Sequence, residues 1–308
     1  MLFVLTPAAL IAEDPALFEV KGKVVARRVR ATARLYDTTS PFNQSTYVGL
    51  DGSFKFKKIP KGTYTLSIFL MRRGEIRRTL DVGPGLADER GRVLIEIRPD
   101  RASIDATAVN FVSARELAVP ESARKEYEKG VKKLSKRDVK TGILHFERAV
   151  EIAPQFAAAW NYLGTIAYQT NRYEDAEKYF RRAREADPDK YESLVNLGGV
   201  LVTLGRFEEA LKHNTAAVAL RPNDPLAQAQ LGLTYLRQRN YNLAEKHLLA
   251  ASRLDPRHFS NPQVYLAEIY LRRNDKRRAA NQLSELLRHH PDWPEAEKVR
   301  QSIELWSR

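Results

Sequence analysis

The sequence predicts two folds in series. An all-β sandwich is followed by an all-α solenoid of helix pairs, wound as a right-handed superhelix and closed by a C-terminal capping helix. Three observations predict this. Residues 17–111 alternate apolar and polar side chains in short stretches broken by turn residues, the pattern of half-buried strands. From residue 123 the period changes to 34 residues: Gly130, Gly164, Gly198 and Gly232 stand at that spacing, and a beat of this length signals a solenoid. The 308 residues are 43% hydrophobic, enough to give each part its own core.

Residues 1–16 read as a signal-peptide remnant or an N-terminal tail. Leu2 to Ala12 is the one strongly apolar run of the chain. It is too short to span a bilayer, which needs about 20 residues. Small residues Ala8, Ala9 and Ala12 precede Glu13-Asp14, as in the apolar stretch of a secretory signal. No Lys or Arg precedes the run, so either the start lies further upstream or the run is a buried N-terminal strand. The first reading makes the protein exported, periplasmic or envelope-associated; the second leaves it cytoplasmic.

Phe18-Glu19-Val20-Lys21-Gly22-Lys23-Val24 alternates cleanly. Further strands are expected at 30–36, 46–49, 53–57, 63–70, 76–82, 92–98 and 103–110, separated by turns such as Asp51-Gly52 and Pro60-Lys61-Gly62. Seven or eight short strands at this spacing suggest a sandwich. The stretch from Asp51 to Leu66, which turns, alternates, turns at Pro-Lys-Gly and alternates again, resembles the carboxypeptidase-regulatory-like, prealbumin-like sandwiches, as does Val20 to Val24. That resemblance implies an accessory, stalk or carbohydrate-binding-like module. It implies no peptidase, since this domain has no His and so no zinc pair.

Residues 112–122 link the domains, and Leu117 and Val119 are expected to pack on the first repeat. Residues 123–292 hold five repeats. Trp160, Leu163, Gly164, Ala176, Phe180, Ala183 and Pro188 give the clearest unit, and most of these positions recur at 34 residues. The pattern resembles the tetratricopeptide repeat (TPR). Small residues let the two helices of a unit approach, and Pro ends the second one. A unit cannot cover its own apolar face, so neighbours must stack. Residues 293–308 form the capping helix, with Asp292 as its N-cap, Pro294 at its first position and Ala296, Val299, Ile303 and Trp306 on one face.

The resemblance also names a binding face. In TPR families one side of each first helix lines a concave groove. Here that side carries Asn161, Thr165, Tyr168 and Gln169 in unit two, and Val195 and Val202 in unit three. Unit four supplies Ala229, Leu233, Leu236 and Arg237; unit five supplies Val264 and Glu268. The groove is expected to take a protein or peptide segment, its aliphatic end having no role in stacking.

Chemistry is not indicated. Without Cys the chain has no disulfide, thiolate or thiol nucleophile. No P-loop, dinucleotide fingerprint, nucleophile elbow or His-Glu-x-x-His stretch appears. His145, His213 and His247 recur at one repeat position, yet equivalent helices stand roughly 10 Å apart, too far to share a metal. No enzyme activity, cofactor or metal is expected. The net charge is +13, of which a surplus of 6 (19 basic against 13 acidic) lies in residues 1–120 and 7 in the helical half. Charge spread so evenly argues against specific nucleic-acid binding. The basic clusters Arg27-Arg28-Val29-Arg30, Lys55-x-Lys57-Lys58 and Arg72-Arg73…Arg77-Arg78 read either as solvated surface or as contacts to an anionic glycan, envelope polymer or membrane surface.

Overall fold

A computed structural model of the chain describes residues 17–26, 30–37, 40–99, 104, 114–291 and 293–307. The apolar run at 2–12, the strand expected at 103–110, Arg27 to Val29 and Asp292 lie outside them.

The N-terminal part is a two-sheet sandwich of seven strands among the described residues. They are β1 (Leu17–Val24), β2 (Ala31–Asp37), β3 (Asn43–Tyr47), β4 (Ser53–Pro60), β5 (Gly62–Leu70), β6 (Gly74–Val82) and β7 (Arg92–Ile97). One sheet has the order β4-β1-β7 and the other β3-β2-β5-β6. β1 pairs antiparallel with β4 and parallel with β7, and the four-stranded sheet is antiparallel throughout. Alternation sends Phe18, Val20, Leu35, Phe54, Phe56, Ile59, Tyr64, Leu66, Ile68 and Ile76 into one core. Burying each such side chain stabilises the fold by about 1.5–3 kcal/mol. Gly52 carries the turn into β4 at φ +84°, where a Cβ would stand 2.1 Å from the Val24 carbonyl oxygen. The strand expected at 46–49 sits earlier, as β3, because it pairs with β2 from Tyr36↔Asn43 to Thr32↔Tyr47.

The helical part opens with a short turn, α1 (Ala114–Leu117). Five antiparallel pairs follow: α2 (Glu121–Leu134) with α3 (Val139–Ile152), α4 (Ala157–Gln169) with α5 (Tyr173–Ala186), α6 (Tyr191–Thr203) with α7 (Phe207–Leu220), α8 (Pro225–Arg237) with α9 (Tyr241–Leu254), and α10 (Pro262–Arg272) with α11 (Lys276–His289). The last helix is α12 (Ala296–Ser307). The recurring glycines are close-approach positions. A Cβ on Gly164 would lie 2.5 Å from the Phe180 ring, one on Gly232 2.8 Å from Leu248, and one on Gly198 2.0 Å from Asn214 Oδ1. Unit three thus places a fully buried Asn where its neighbours place Phe180 and Leu248. The Asn214 amide donates to Thr234 Oγ1 at 3.0 Å. Val119 is buried in the first core, whereas Leu117 stays 64% exposed, so one of the two linker contacts forms. Trp306 packs on the core of units four and five. No described helix is long and apolar enough to cross a membrane.

Candidate binding groove and domain interface

The first helices of neighbouring units touch along the inside of the solenoid: α4 meets α6, α6 meets α8, and α8 meets α10. Those contacts sort the twelve expected groove residues. Val195 lies in a core with Tyr191, Leu194 and Ala227, and Leu236 in one with Leu248, Leu266 and Ile269. Ala229 is buried as well. These three therefore serve stacking, contrary to the expectation of a free aliphatic face. A first helix leans on its successor, and this closes those positions.

The others stay accessible in a graded way. Val202, Leu233 and Val264 are half-buried; Tyr168 and Arg237 are exposed. Asn196 donates to Asn161 Oδ1 at 3.2 Å, and Thr165 Oγ1 donates to the Asn161 carbonyl at 2.9 Å. The Tyr168 hydroxyl meets Thr203 Oγ1 at 3.0 Å across units two and three. Gln169 is half-buried, its Oε1 without a protein partner. Sequence reasoning missed Tyr265, which stands at the centre of the open stretch. Burial raises its phenol pKa, with Arg237, Glu268 and Tyr168 as the charged and polar groups around it. Glu268 is held by Arg272 at 2.8 Å. Arg237 makes no ion pair among the described residues. The open groove is thus mixed: half-covered aliphatic side chains, two phenols, one unpaired guanidinium.

A second set of contacts was not foreseen: the sandwich docks on the solenoid. β5 shows it first, because its outward Thr65 and Ser67 are as buried as its inward residues. β6, the neighbouring edge strand, runs along the turns that enter the first helices of units three to five. Arg77 donates to Asp224 Oδ2 at 2.6 Å. The other Asp224 oxygen caps α8, accepting from the Leu226 and Ala227 amides at 2.9 and 3.1 Å. Thr79 donates both its amide and its hydroxyl to Asp255 Oδ2, at 2.8 and 2.7 Å. Arg257 donates to Asp81 at 2.9 Å, and Arg221 reaches Glu75 at 3.4 Å. The Arg221 guanidinium lies 4.0 Å over the Tyr191 ring. At the far end, Arg137 stands 6.0 Å over Phe42.

Burial works against the Glu75 carboxylate, yet Arg77, then Ser67 and Arg221, outweigh it and hold its pKa below the usual range. Burial likewise pushes the Tyr36 phenol up to about 12, with Glu75 and Asp224 adding to the rise. His258, buried behind Asp255 and Asp224, has its pKa lowered, chiefly by desolvation. Arg77 and Arg78, which read as plain surface charge, belong to this interface: Arg78 also reaches the Leu254 carbonyl at 3.4 Å. The signal was present in the repeat register. Asp187, Arg221 and Asp255 stand 34 residues apart, each before a Pro, and none is exposed.

The fold is that of a β-sandwich followed by a TPR solenoid. Tetratricopeptide-repeat family models match residues 127–190, 166–225 and 227–258. No curated protein matches the chain in sequence. Among solved structures, the helical part is similar to residues 41 to the end of MamA from Desulfovibrio magneticus RS-1, at 19% identity and a TM-score of 0.51 over 57% of this chain and 99% of that one. It is also similar to YrrB, described as a TPR protein with an unusual peptide-binding site, at 22% identity and a TM-score of 0.50 over 62% and 100%. PilW, a widely conserved type IV pilus biogenesis factor, aligns at 18% identity and a TM-score of 0.51 over 61% and 91%. At these identities the likeness is one of fold. TPR proteins are in general scaffolds for protein–protein contacts and typically non-catalytic.

Proposed function

We propose that this chain is a non-catalytic scaffold that holds an extended peptide or protein segment in the open part of the groove, at the bacterial cell envelope. The observation that carries the reading is the stretch from Tyr168 through Leu233 and Arg237 to Val264, Tyr265 and Glu268. It is partly apolar, uncovered by the chain's own helices, and carries a guanidinium with no internal partner. Aliphatic contacts supply affinity there, while hydroxyls and Arg237 fix the register of a bound segment. The peptide-binding site described for YrrB supports a segment of this kind as the ligand. The envelope assignment rests on the signal-like run at 2–12, and the accessory role of the sandwich on its resemblance to the carboxypeptidase-regulatory-like modules.

A photo-crosslinking residue placed at Tyr168 tests the groove, with one at exposed Leu144 on the outer helix α3 as control. The expected outcome is a discrete partner adduct from position 168, weakened by Arg237→Glu, and none from 144. Equal adducts from both positions, or adducts indifferent to Arg237→Glu, reject the groove as the site.

A further inference from the structure

The sandwich has a second outward face, on the sheet β4-β1-β7, and it points away from the solenoid because the opposite sheet is the one that docks. Strand alternation sends Lys21 and Lys23 of β1, Lys55 and Lys57 of β4 and Leu94 of β7 onto it. The register sets Lys21 directly opposite Lys55, with Leu94 beside it on the other flank. Like charges facing one another across paired strands are unfavourable, and nothing in the fold requires them here. The face carries two carboxylates, Glu19 and Glu96. The first is 3.9 Å from Lys21, and the second is taken by Arg98 at 2.5 Å. Lys23, Lys55 and Lys57 have no carboxylate within ion-pair distance among the described residues.

The apolar residues of this face complete the pattern. Leu94 is 65% exposed in the middle of the lysines, and Leu17 is 52% exposed at the start of β1. No aromatic side chain projects outward from these three strands. A polysaccharide or a single-stranded nucleic acid is gripped by aromatic platforms. A flat basic surface with scattered leucines is instead complementary to lipid headgroups, where phosphates meet the lysines and the aliphatic side chains enter the acyl boundary.

We propose that the outer face of β4-β1-β7 docks on an anionic phospholipid surface. Lys23, Lys55 and Lys57 meet headgroup phosphates, Lys21 adds its charge from the centre, and Leu94 inserts. The association is peripheral and reversible, and it holds the solenoid on the far side of the sandwich, away from the lipid. It stands apart from the groove reading, since it uses no residue of the solenoid.

The test uses the full chain and vesicles of phosphatidylcholine, alone or with about a third phosphatidylglycerol. Cosedimentation is expected with the mixed vesicles and not with the neutral ones. The triple variant Lys23→Gln, Lys55→Gln, Lys57→Gln should partition about a hundredfold more weakly, each lysine near an anionic leaflet contributing about fivefold. Leu94→Ser should weaken binding further. Far-UV circular dichroism checks that the variants fold, and Lys55→Glu alone serves if the triple variant does not. Binding by the triple variant or by Lys55→Glu at the wild-type level overturns the proposal, as does failure of the wild type to bind. Equal binding to a soluble sulfated polysaccharide, with Leu94→Ser without effect on vesicles, also overturns it and assigns the face to an anionic polymer.

Discussion

The two outward faces of the sandwich have the same period and similar polarity, yet opposite fates. Thr65, Ser67, Glu75, Arg77, Thr79 and Asp81 leave one sheet and meet the solenoid; Lys21, Lys23, Lys55 and Lys57 leave the other and meet solvent. What separates them is partner chemistry. The docked face mixes short hydroxyl side chains with both signs of charge. Thr79 and Arg77 each find a solenoid carboxylate, and Asp81 a solenoid guanidinium. A polar face can be covered only when nearly every group on it is matched. A lysine sheet offers one sign and flexible ends, so no such match is available inside the molecule. The docked face also answers the hazard of an open strand edge, since Asp255 takes the Thr79 amide that would otherwise pair with another chain.

The largest effect that could break this contrast is at Asp224. Its carboxylate is 2% exposed and joins the α8 cap to Arg77. Asp224→Ala leaves Arg77 leaning on Glu75 alone and removes the cap. The expected loss is about 3 kcal/mol, in the range for breaking a buried pair. Differential scanning calorimetry should then resolve separate sandwich and solenoid transitions where the wild type gives one. A variant that unfolds as the wild type does would mean that the domains do not dock through this pair.

How much of this could be read beforehand follows from the physics of each part. Stacking leaves a mark in one chain segment: Gly164, Ala176, Phe180 and Pro188 recur because each unit must fit the next, so the solenoid is visible as period. Alternation marks β1, β4 and β5 for the same reason. The groove was half legible. Its face follows from helix geometry, but whether Leu236 or Leu233 is covered depends on the lean of α8 on α10, which no local pattern encodes. The domain interface was not legible at all. Arg77 and Asp224 are 147 residues apart, and each reads alone as ordinary surface charge. Tyr265 was missed because unit five slips by one residue in the repeat register.

Acid should weaken the docked region before it touches the lysine face. Burial lowers the pKa of His258 and His290 below the model value of 6.5, so their neutral forms are the ones the fold holds. A lowered histidine pKa favours the unfolded chain once protons bind there first. The stability these residues contribute is therefore complete above pH 6.5 and falls as pH drops below it. Glu75 responds later. Its pKa is depressed from 4.5, so its contribution is present above that value and is lost as pH falls through its folded pKa. Thermal midpoints measured at successive pH values should decline in two stages, the first flattened by His258→Gln. A midpoint independent of pH between 7 and about 5.5 contradicts the burial of these imidazoles at the interface.

The smallest expected effect is on the other face, and its sign is the informative part. Lys21 and Lys55 face each other on β1 and β4 and are exposed or half-exposed, so their repulsion is screened by water. Lys55→Glu replaces it with an attraction across the same register. Such pairs contribute roughly 0.2–1 kcal/mol, and exposed ones lie at the low end. The variant should be as stable as the wild type or more stable by about 0.5 kcal/mol, measured by urea unfolding. A stabilised variant would mean that the native lysine is kept at the expense of stability, which is what selection for an external partner leaves behind. A destabilised one would show that Lys55 serves the fold, most directly by laying its aliphatic stem over neighbouring strand residues. The two faces would then differ only in how they are satisfied from within.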